Sequence, residues 1–581
     1  MAEKDYFNGV RIDFIRFMDS TAVIEGCVDY GVLKDDENLL FVTSDNLSLK
    51  PEFVARAQRS REVSDGSRYD GGGFKVTVPL AGEDGVISAR VASRESVRPV
   101  DILPQEFTRL SEVASSYFRY GEVLCRRKGR SSIQIKPYKK SLHIRYEINF
   151  LLSILFYWRL ANAKAAFLGG LRDGGSLKRR IFNFVKPVLI IGEMIVKIPR
   201  AYYLRVVYLI SKPRIKRPIW LISDRGMSAG DNGEALFRYI IDQPDCPADV
   251  FFVLSKKSKD YDRLSQIGPV LNQDSMRYKR LFLLADKVIS SQADVEVTNP
   301  FLRQKNHFVD LYTFDFVFLQ HGIIRHDLSG WLNRYNKNIR LFITSAEVEY
   351  NSIINGNYYY DEENVLLSGL PRYDLLENDP KSKLILAPTY RKELVRLDTD
   401  KNGARPYDPE FIQSEYRDYY NNLMNDERVL DILRKNNMTG ELYLHPVFES
   451  QIKDFNTNEV FTAKSFPYDY KTAFREGSIM VTDYSSVVFD FAYLKKPVVY
   501  SQFDKKRFFE HHMYQESDFF SDERDGFGPI ATSYDEAIDR IIETIESGCE
   551  MSKKYQKRAE SFFFKNDRSN SERVYEAILS L

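Results

Sequence analysis

The chain has 581 residues, a formal net charge of +1, 43% apolar residues and 14% aromatics. That length exceeds what one hydrophobic core supports, and the aromatic content excludes a disordered chain. Thirty glycines exclude a collagen-like repeat, and four widely spaced cysteines (Cys27, Cys125, Cys246, Cys549) exclude a disulfide scaffold and a close-spaced metal motif.

Residues 1 to about 125 read as β-rich. The runs 10–30, 72–80 and 85–93 alternate or carry β-branched residues, and turn clusters at 64–73 and 81–85 separate them. A small sandwich or barrel with an accessory role is expected. The opening residues, MAEKDYFNGV, lack the apolar stretch of a secretory signal.

Residues 126–217 differ in charge. They hold 22 lysines and arginines against three acids (Glu147, Asp173, Glu193), a net of +19, leaving −18 for the rest of the chain. Basic and apolar residues are interleaved at short spacing. This suggests amphipathic helices in an anionic membrane interface, with Phe156, Trp158, Arg159, Arg179, Arg180, Lys186, Lys197 and Arg200 facing the lipid. A basic helical subdomain packed on its neighbours is the plainer alternative. Nucleic acid is not expected, because the stretch is too apolar for a solvated groove. No run reaches the 18–20 apolar residues of a spanning helix. Residues 211–218, SKPRIKRP, read as a linker.

From residue 218 short apolar runs alternate with helical stretches. One set begins at 218, 249, 286, 315, 340 and 364, and a second at 383, 440, 478 and 496. Such βα repetition predicts parallel sheets, here in two doubly wound lobes, 218–380 and 381–581. The fold class expected is therefore α/β: two Rossmann-like lobes, preceded by the β-rich domain (1–125) and the basic helical region (126–217). Ligands of such sheets bind beyond the carboxyl ends of the strands.

The residues that carry chemistry sit at those ends. His321 and Gly322 follow the strand DFVFL, where the glycine would let the backbone turn tightly and the imidazole could exchange a proton. Arg391 follows LILAPTY and could meet an anion bidentately. His445 follows ELYL. In VTDYSSVVFDFAYLKKPVVY (481–500) a strand is expected to end at Thr482. Asp483 to Ser486 should turn, and a short helix should run from Val487 to Leu494 with Ser485 or Ser486 as its cap. Each residue alone also fits a polar loop, a surface ion pair or a plain helix cap. A weaker feature is the first loop of the first lobe, Ser223–Gly226 with Asp231–Gly233, whose glycines could approach a ligand. Walker, GxSxG and HExxH patterns are absent.

The motifs QHG (320–322), SGLPRYD (368–374), LAPTYR (386–391), HP (445–446) and TDYSSVVFDFAYLKKPVVY (482–500) resemble, in order and spacing, the CDP-glycerol glycerophosphotransferase family of teichoic-acid and capsule polymerases. The resemblance covers about 219–575. It implies a two-lobed fold of the glycosyltransferase-B type on the cytoplasmic face of a bacterial plasma membrane, peripherally bound. It implies transfer of glycerol or ribitol phosphate from a CDP-activated donor to a lipid-linked or polymeric hydroxyl acceptor, with release of CMP. It assigns His321 as the general base and Asp483 as a second catalytic position. Arg391, His445, Ser485 and Ser486 would hold the donor diphosphate, with Gly322, Arg372, Thr389 and Asp490 completing the substrate-binding set. Asp490 also fits a structural role in its helix. Neither a cofactor nor a metal is expected, and a homo-oligomer is compatible with the sequence. One departure stands out. Many family members read His-Gly-Thr-x-x-Lys, whereas here Ile323 replaces the threonine and Arg325 or His326 the lysine. A glycosyltransferase using a nucleotide sugar and a non-catalytic glycan-binding scaffold are the alternatives.

Overall fold

The structure is a computed structural model. It describes residues 10–581 except 19–20, 29–36, 55–72, 80–84, 94–95, 101, 105–116, 121–122, 129–130, 138–142, most of 153–197, 303–306, 309–310, 397–404, 466–469 and 512–518.

Two sheets face each other at the N-terminal end. One orders the strands Glu52–Val54, Gly73–Pro79, Thr21–Val28, Val10–Met18 and Ile102–Pro104. The other is built around Gly85–Ala92, with Asn38–Val42 on one side and Ser132–Pro137 and Val123–Lys128 on the other. Their inward residues, among them Ile12, Ile24, Phe41, Phe74, Val76, Ile87, Val91, Cys125 and Ile135, form one core, which makes the unit a sandwich. The β-rich unit runs to Pro137, past the boundary expected at 125. A charge count cannot see this. Cys125 and Ile135 pair across the ladder and are buried, while the basic residues lie between such positions. Glu25 of the sandwich pairs with Arg334 of the first lobe at 3.2 Å, both nearly buried, which ties the two units together.

Of the basic region, a helix at His143–Leu152 and another at 198–211 are described. Arg205 is buried and grips Glu147 with two bonds, 2.7 and 2.9 Å, so the helices lie against each other. Ala201, Leu204 and Tyr208 pack into the first lobe's core, one helical face at i, i+3, i+7. Arg200 is exposed on this second helix. The expected lipid-facing residues Phe156, Trp158, Arg159, Arg179, Arg180, Lys186 and Lys197 lie outside the described residues. Among the described residues no helix is long and apolar enough to cross a membrane.

The first lobe contains β1 (Ile219–Ser223), β2 (Asp249–Leu254), β3 (Val270–Asn272), β4 (Lys287–Ser290), β5 (Asp315–Phe318), β6 (Leu341–Thr344) and β7 (Val365–Leu367), in the order 3-2-1-4-5-6-7. The second contains β8 (Lys383–Ala387), β9 (Thr439–Leu442), β10 (Phe461–Ala463), β11 (Gly477–Thr482), β12 (Val498–Ser501) and β13 (Ile530–Ala531), in the order 10-9-8-11-12-13. All pairings in both sheets are parallel. The two lobes thus share one doubly wound topology. In each, the order reverses beside the first strand, at β1/β4 and at β8/β11, which opens a crevice at the carboxyl ends. Central strands are buried on both faces, which is why they read as unbroken apolar runs.

The last helix, Asn570–Leu579, falls in the segment 381–581 yet packs on the first lobe. Tyr575 meets Trp220 edge-on at 6.2 Å, and Asp374 accepts bonds from the backbone of Asn570 and Ser571 at 3.0 and 2.7 Å.

Candidate functional site

The first crevice is organised by Asp224, just beyond β1. Its buried carboxylate accepts from the backbone of Asp231 (3.0 Å), Gly233 (2.7 Å) and Glu234 (3.2 Å) and from the Ser291 hydroxyl (2.5 Å). It therefore fixes the start of helix α1 (Asn232–Ile241), whose cap is Asp231. Gly233 has no room for a side chain: a Cβ would lie 2.5 Å from Asp224 Oδ1 and 2.6 Å from Ser223 O. Burial, reinforced by the nearby Asp231 charge, pushes the Asp224 carboxyl up to about 6.

His321 follows β5 and is exposed to the crevice. Its Nδ1 is hydrogen-bonded to Asp231 Oδ2, and its Nε2 lies 3.0 Å from an Nη of Arg225. Burial alone would raise the Asp231 carboxyl, but His321 and Arg372 carry it well below the usual carboxylate range. An ionised Asp231 accepts the Nδ1 proton, which leaves the Nε2 lone pair facing the Arg225 guanidinium.

The turn that presents His321 is built differently from expectation. The left-handed residue is Gln320, at φ 64°, not Gly322. Gln320 is held there by its amide, which donates to Ile343 O (2.7 Å) and Glu349 Oε1 (2.9 Å), while Asn232 donates to its carbonyl at 2.7 Å. Glu349 also accepts from the backbone of Ile324 (2.7 Å) and Ser345 (2.8 Å), and burial raises its carboxyl to about 7. A Cβ on Gly322 would make only ordinary contacts, 3.6 Å from Arg372 Nη2 and 3.8 Å from Ser486 Oγ. Gly322 thus marks where the first lobe comes close to the serine block of the second.

Arg372 spans that approach. Its guanidinium grips Asp490 of the second lobe with bonds of 2.7 and 2.8 Å, and pairs with Asp231 of the first at 2.7 Å. It also donates to the His321 carbonyl. Arg372 and Asp490, both expected to touch substrate, instead join the lobes and hold the His321 loop. Their charges neutralise each other.

The second crevice corrects two further expectations. Arg391 is 2% exposed. Its guanidinium lies 2.6 and 3.0 Å from Asp504, pairs with Asp483 at 2.9 Å and donates to Thr389 O at 2.7 Å. The rings of Tyr416, Tyr484 and Phe508 surround it at 5.0–5.3 Å. A cation sealed this way cannot reach a diphosphate. Asp483 is fully buried and accepts from the backbone of Thr389 (2.8 Å) and Tyr484 (2.6 Å) and from the Tyr420 hydroxyl (3.1 Å). It ties the loop after β8 to the loop after β11, and its carboxylate is turned to these partners rather than to the crevice. One buried guanidinium here serves two carboxylates, so removing it would strand both.

Around this clamp the serine block forms the crevice wall. Ser486 caps α2 (Val487–Tyr493) by position, but its hydroxyl makes no cap bond and is exposed. Ser485 is half-buried, and the Val487 N–H lies 3.5 Å from its Oγ. Thr389 Oγ1 is buried without a hydrogen-bond partner among the described residues. His445 is half-buried, accepts from the Val447 N–H at 3.3 Å and lies against the Tyr390 ring at 4.7 Å. Where the usual family lysine is replaced, Arg325 is buried and paired with Asp522 of the second lobe, whose carboxylate also accepts from Gln502 at 2.6 Å. His326 is buried beside Phe509.

The structure thus brings His321, Gly322, Arg372, Ser486 and Asp490 to one seam between the lobes, with Thr389 and Asp483 in contact at the second crevice. Sequence reasoning met Arg225 and Asp231 only inside a loop noted for its glycines, and it passed over Asp504. Asp231-Asn232-Gly233 had the form of a helix cap, but the histidine that Asp231 orients lies 90 positions away.

A sequence model described as CDP-glycerol:poly(glycerophosphate) glycerophosphotransferase matches residues 205–580. The chain is 41% identical over 405 residues to the minor teichoic acid biosynthesis protein GgaB of Bacillus subtilis (strain 168), covering 69% of this chain and 44% of that protein. It is 25% identical over 336 residues to a teichoic acid poly(ribitol-phosphate) polymerase of Bacillus spizizenii, covering 55% of this chain and 50% of that one. It therefore spans about half the length of these relatives. Among solved structures, a variant of the wall teichoic acid polymerase TagF aligns with a TM-score of 0.47 at 15% identity, over 68% of this chain and 97% of that one. With a match over most of its length, the chain belongs to the CDP-glycerol:poly(glycerophosphate) glycerophosphotransferase family.

Proposed function

We propose that this chain transfers a polyol phosphate, glycerol or ribitol phosphate, from a CDP-activated donor to a hydroxyl of a growing or lipid-linked polymer in teichoic-acid-type synthesis, releasing CMP. Family membership supports the reaction class. The observation that carries the mechanism is the Asp231–His321 pair at the seam, one residue before Gly322, which Ser486 of the second lobe approaches. The acceptor O–H gives its proton to His321 Nε2. Its oxygen forms a bond to the β-phosphorus, and the bond between that phosphorus and the bridging oxygen breaks, so CMP leaves with the electron pair. Asp231 holds the ring tautomer and faces the imidazolium that forms. The Ser485/Ser486 turn, Thr389 and His445 line the donor side in this reading. The two lobes then act as a glycosyltransferase-B type pair, acceptor on the first and donor on the second.

The basic and apolar residues between 153 and 200 fit a peripheral membrane location on the cytoplasmic face, where a lipid-linked acceptor would be reached. Sedimentation of the full chain with anionic vesicles, lost on charge reversal at Arg179, Arg180 and Lys186, would support it; unchanged sedimentation would count against it. CMP release with CDP-glycerol, CDP-ribitol and nucleotide sugars tests the reaction. Turnover with one CDP-polyol supports the assignment. Turnover with a nucleotide sugar alone replaces it by glycosyl transfer.

A further inference from the structure

The diphosphate of such a donor must meet positive charge, yet the expected cations are already engaged. Arg391 is sealed among two carboxylates and three rings, Arg372 is shared between Asp231 and Asp490, and Arg325 is paired with Asp522. Arg225 is the exception. It is exposed, at the carboxyl end of β1, and among the described residues no carboxylate lies within ion-pairing distance of it. Its hydrogen-bond partner is Nε2 of His321, the nitrogen a general base must have free.

The geometry points to Arg225 as the residue that receives the donor's phosphoryl oxygens, leaving His321 Nε2 as it does so. A guanidinium bonded to a neutral ring nitrogen gains less than one bonded to a phosphate, where both partners are charged and two parallel bonds form. The same movement that places positive charge on the transferring group uncovers the base. The acceptor proton can then be taken only when a donor is present. Arg225 is in this sense a positioning residue for His321 and a binding residue for the donor. The loop that carries it is set by Asp224, whose carboxylate holds the backbone of Asp231, Gly233 and Glu234.

This inference rests on the transferase reading, and the test separates the two. The full chain, Arg225→Gln and Arg225→Lys are compared for binding of inorganic pyrophosphate, binding and turnover of CDP-glycerol, and ligand-free labelling of His321 by diethyl pyrocarbonate, read on its peptide by mass spectrometry. Because Arg225 is exposed, both variants should keep the wild-type melting temperature. In Arg225→Gln, pyrophosphate and donor binding should weaken about 10- to 100-fold, the span of a charge-assisted pair. His321 should label several-fold faster, and Arg225→Lys should recover part of the binding. Unchanged pyrophosphate affinity or unchanged labelling in Arg225→Gln overturns the inference, as does donor turnover at wild-type kcat and KM. If binding and labelling shift as expected while no CDP-polyol is bound or turned over, Arg225 keeps its anion role and the donor assignment falls.

Discussion

The two lobes share a topology and use their crevices in opposite ways. In the first, the acid at the strand end, Asp224, is satisfied by backbone N–H groups, and its neighbour Asp231 orients an exposed histidine. In the second, the equivalent crevice is closed by charge against charge: Asp483, Arg391 and Asp504 satisfy one another under a roof of tyrosines. What that crevice offers outward is hydroxyls and half-buried His445. One sheet order thus supports a reactive edge in one lobe and a sealed ion cluster in the other. The difference lies in whether the strand-end acid finds a buried guanidinium.

Four experiments test this contrast. His321→Ala should cost about 10²- to 10⁴-fold in turnover with no loss of stability, since its ring is exposed; retained CMP release would move the base elsewhere. Arg391→Ala should do the reverse. It leaves Asp483 and Asp504 buried and unpaired, which costs about 3–5 kcal/mol of stability, visible as a lowered denaturant midpoint. A stable variant with merely weaker donor binding would return Arg391 to the ligand. Asp231→Asn sharpens the first crevice. The depressed Asp231 carboxyl contributes stability that is fully present above its unfolded pKa, roughly 4, and is lost as pH falls through its lower folded value. The stability gap between wild type and Asp231→Asn should therefore be largest near neutral pH and shrink in acid. A gap independent of pH would show that the Asp231 charge is not what stabilises. The smallest effect is expected at Gly322, and a second glycine supplies the contrast. Gly322→Ala should change stability by no more than about 0.5 kcal/mol, the ordinary range for a surface change, whereas Gly233→Ala should lower the melting temperature clearly, because its Cβ has no space.

Much of the fold was legible because parallel strands buried on both faces leave uninterrupted apolar runs. The ten runs read from residue 218 onward each overlap an observed strand, two of which start one residue earlier. Those passed over, Val270–Asn272, Phe461–Ala463 and Ile530–Ala531, have only two or three residues and sit at sheet ends, where no apolar run is required. The short helix after the serine block was also readable, ending at Tyr493 rather than Leu494. In the site, strand-end position identified His321 and the serines. It could not say which charges were already paired. Arg391 meets Asp504 across 113 positions and Arg372 meets Asp490 across 118, and a single sequence carries no trace of such pairings. For the same reason Gly322 drew attention that belonged to Gln320. The strained φ there is maintained by Glu349 and Asn232, each distant in the chain.

The return of the last helix to the first lobe has a consequence for biosynthesis. Trp220 and Asp374 await partners at Tyr575 and Asn570, so the first lobe cannot complete its packing as it leaves the ribosome. At roughly 5–20 residues per second, the stretch from Trp220 to Tyr575 takes on the order of 20–70 s to synthesise. During that interval an apolar seam waits uncovered, and the whole of the second lobe is synthesised before the first can be sealed. The order of translation thereby makes the sealing of the first lobe a late event.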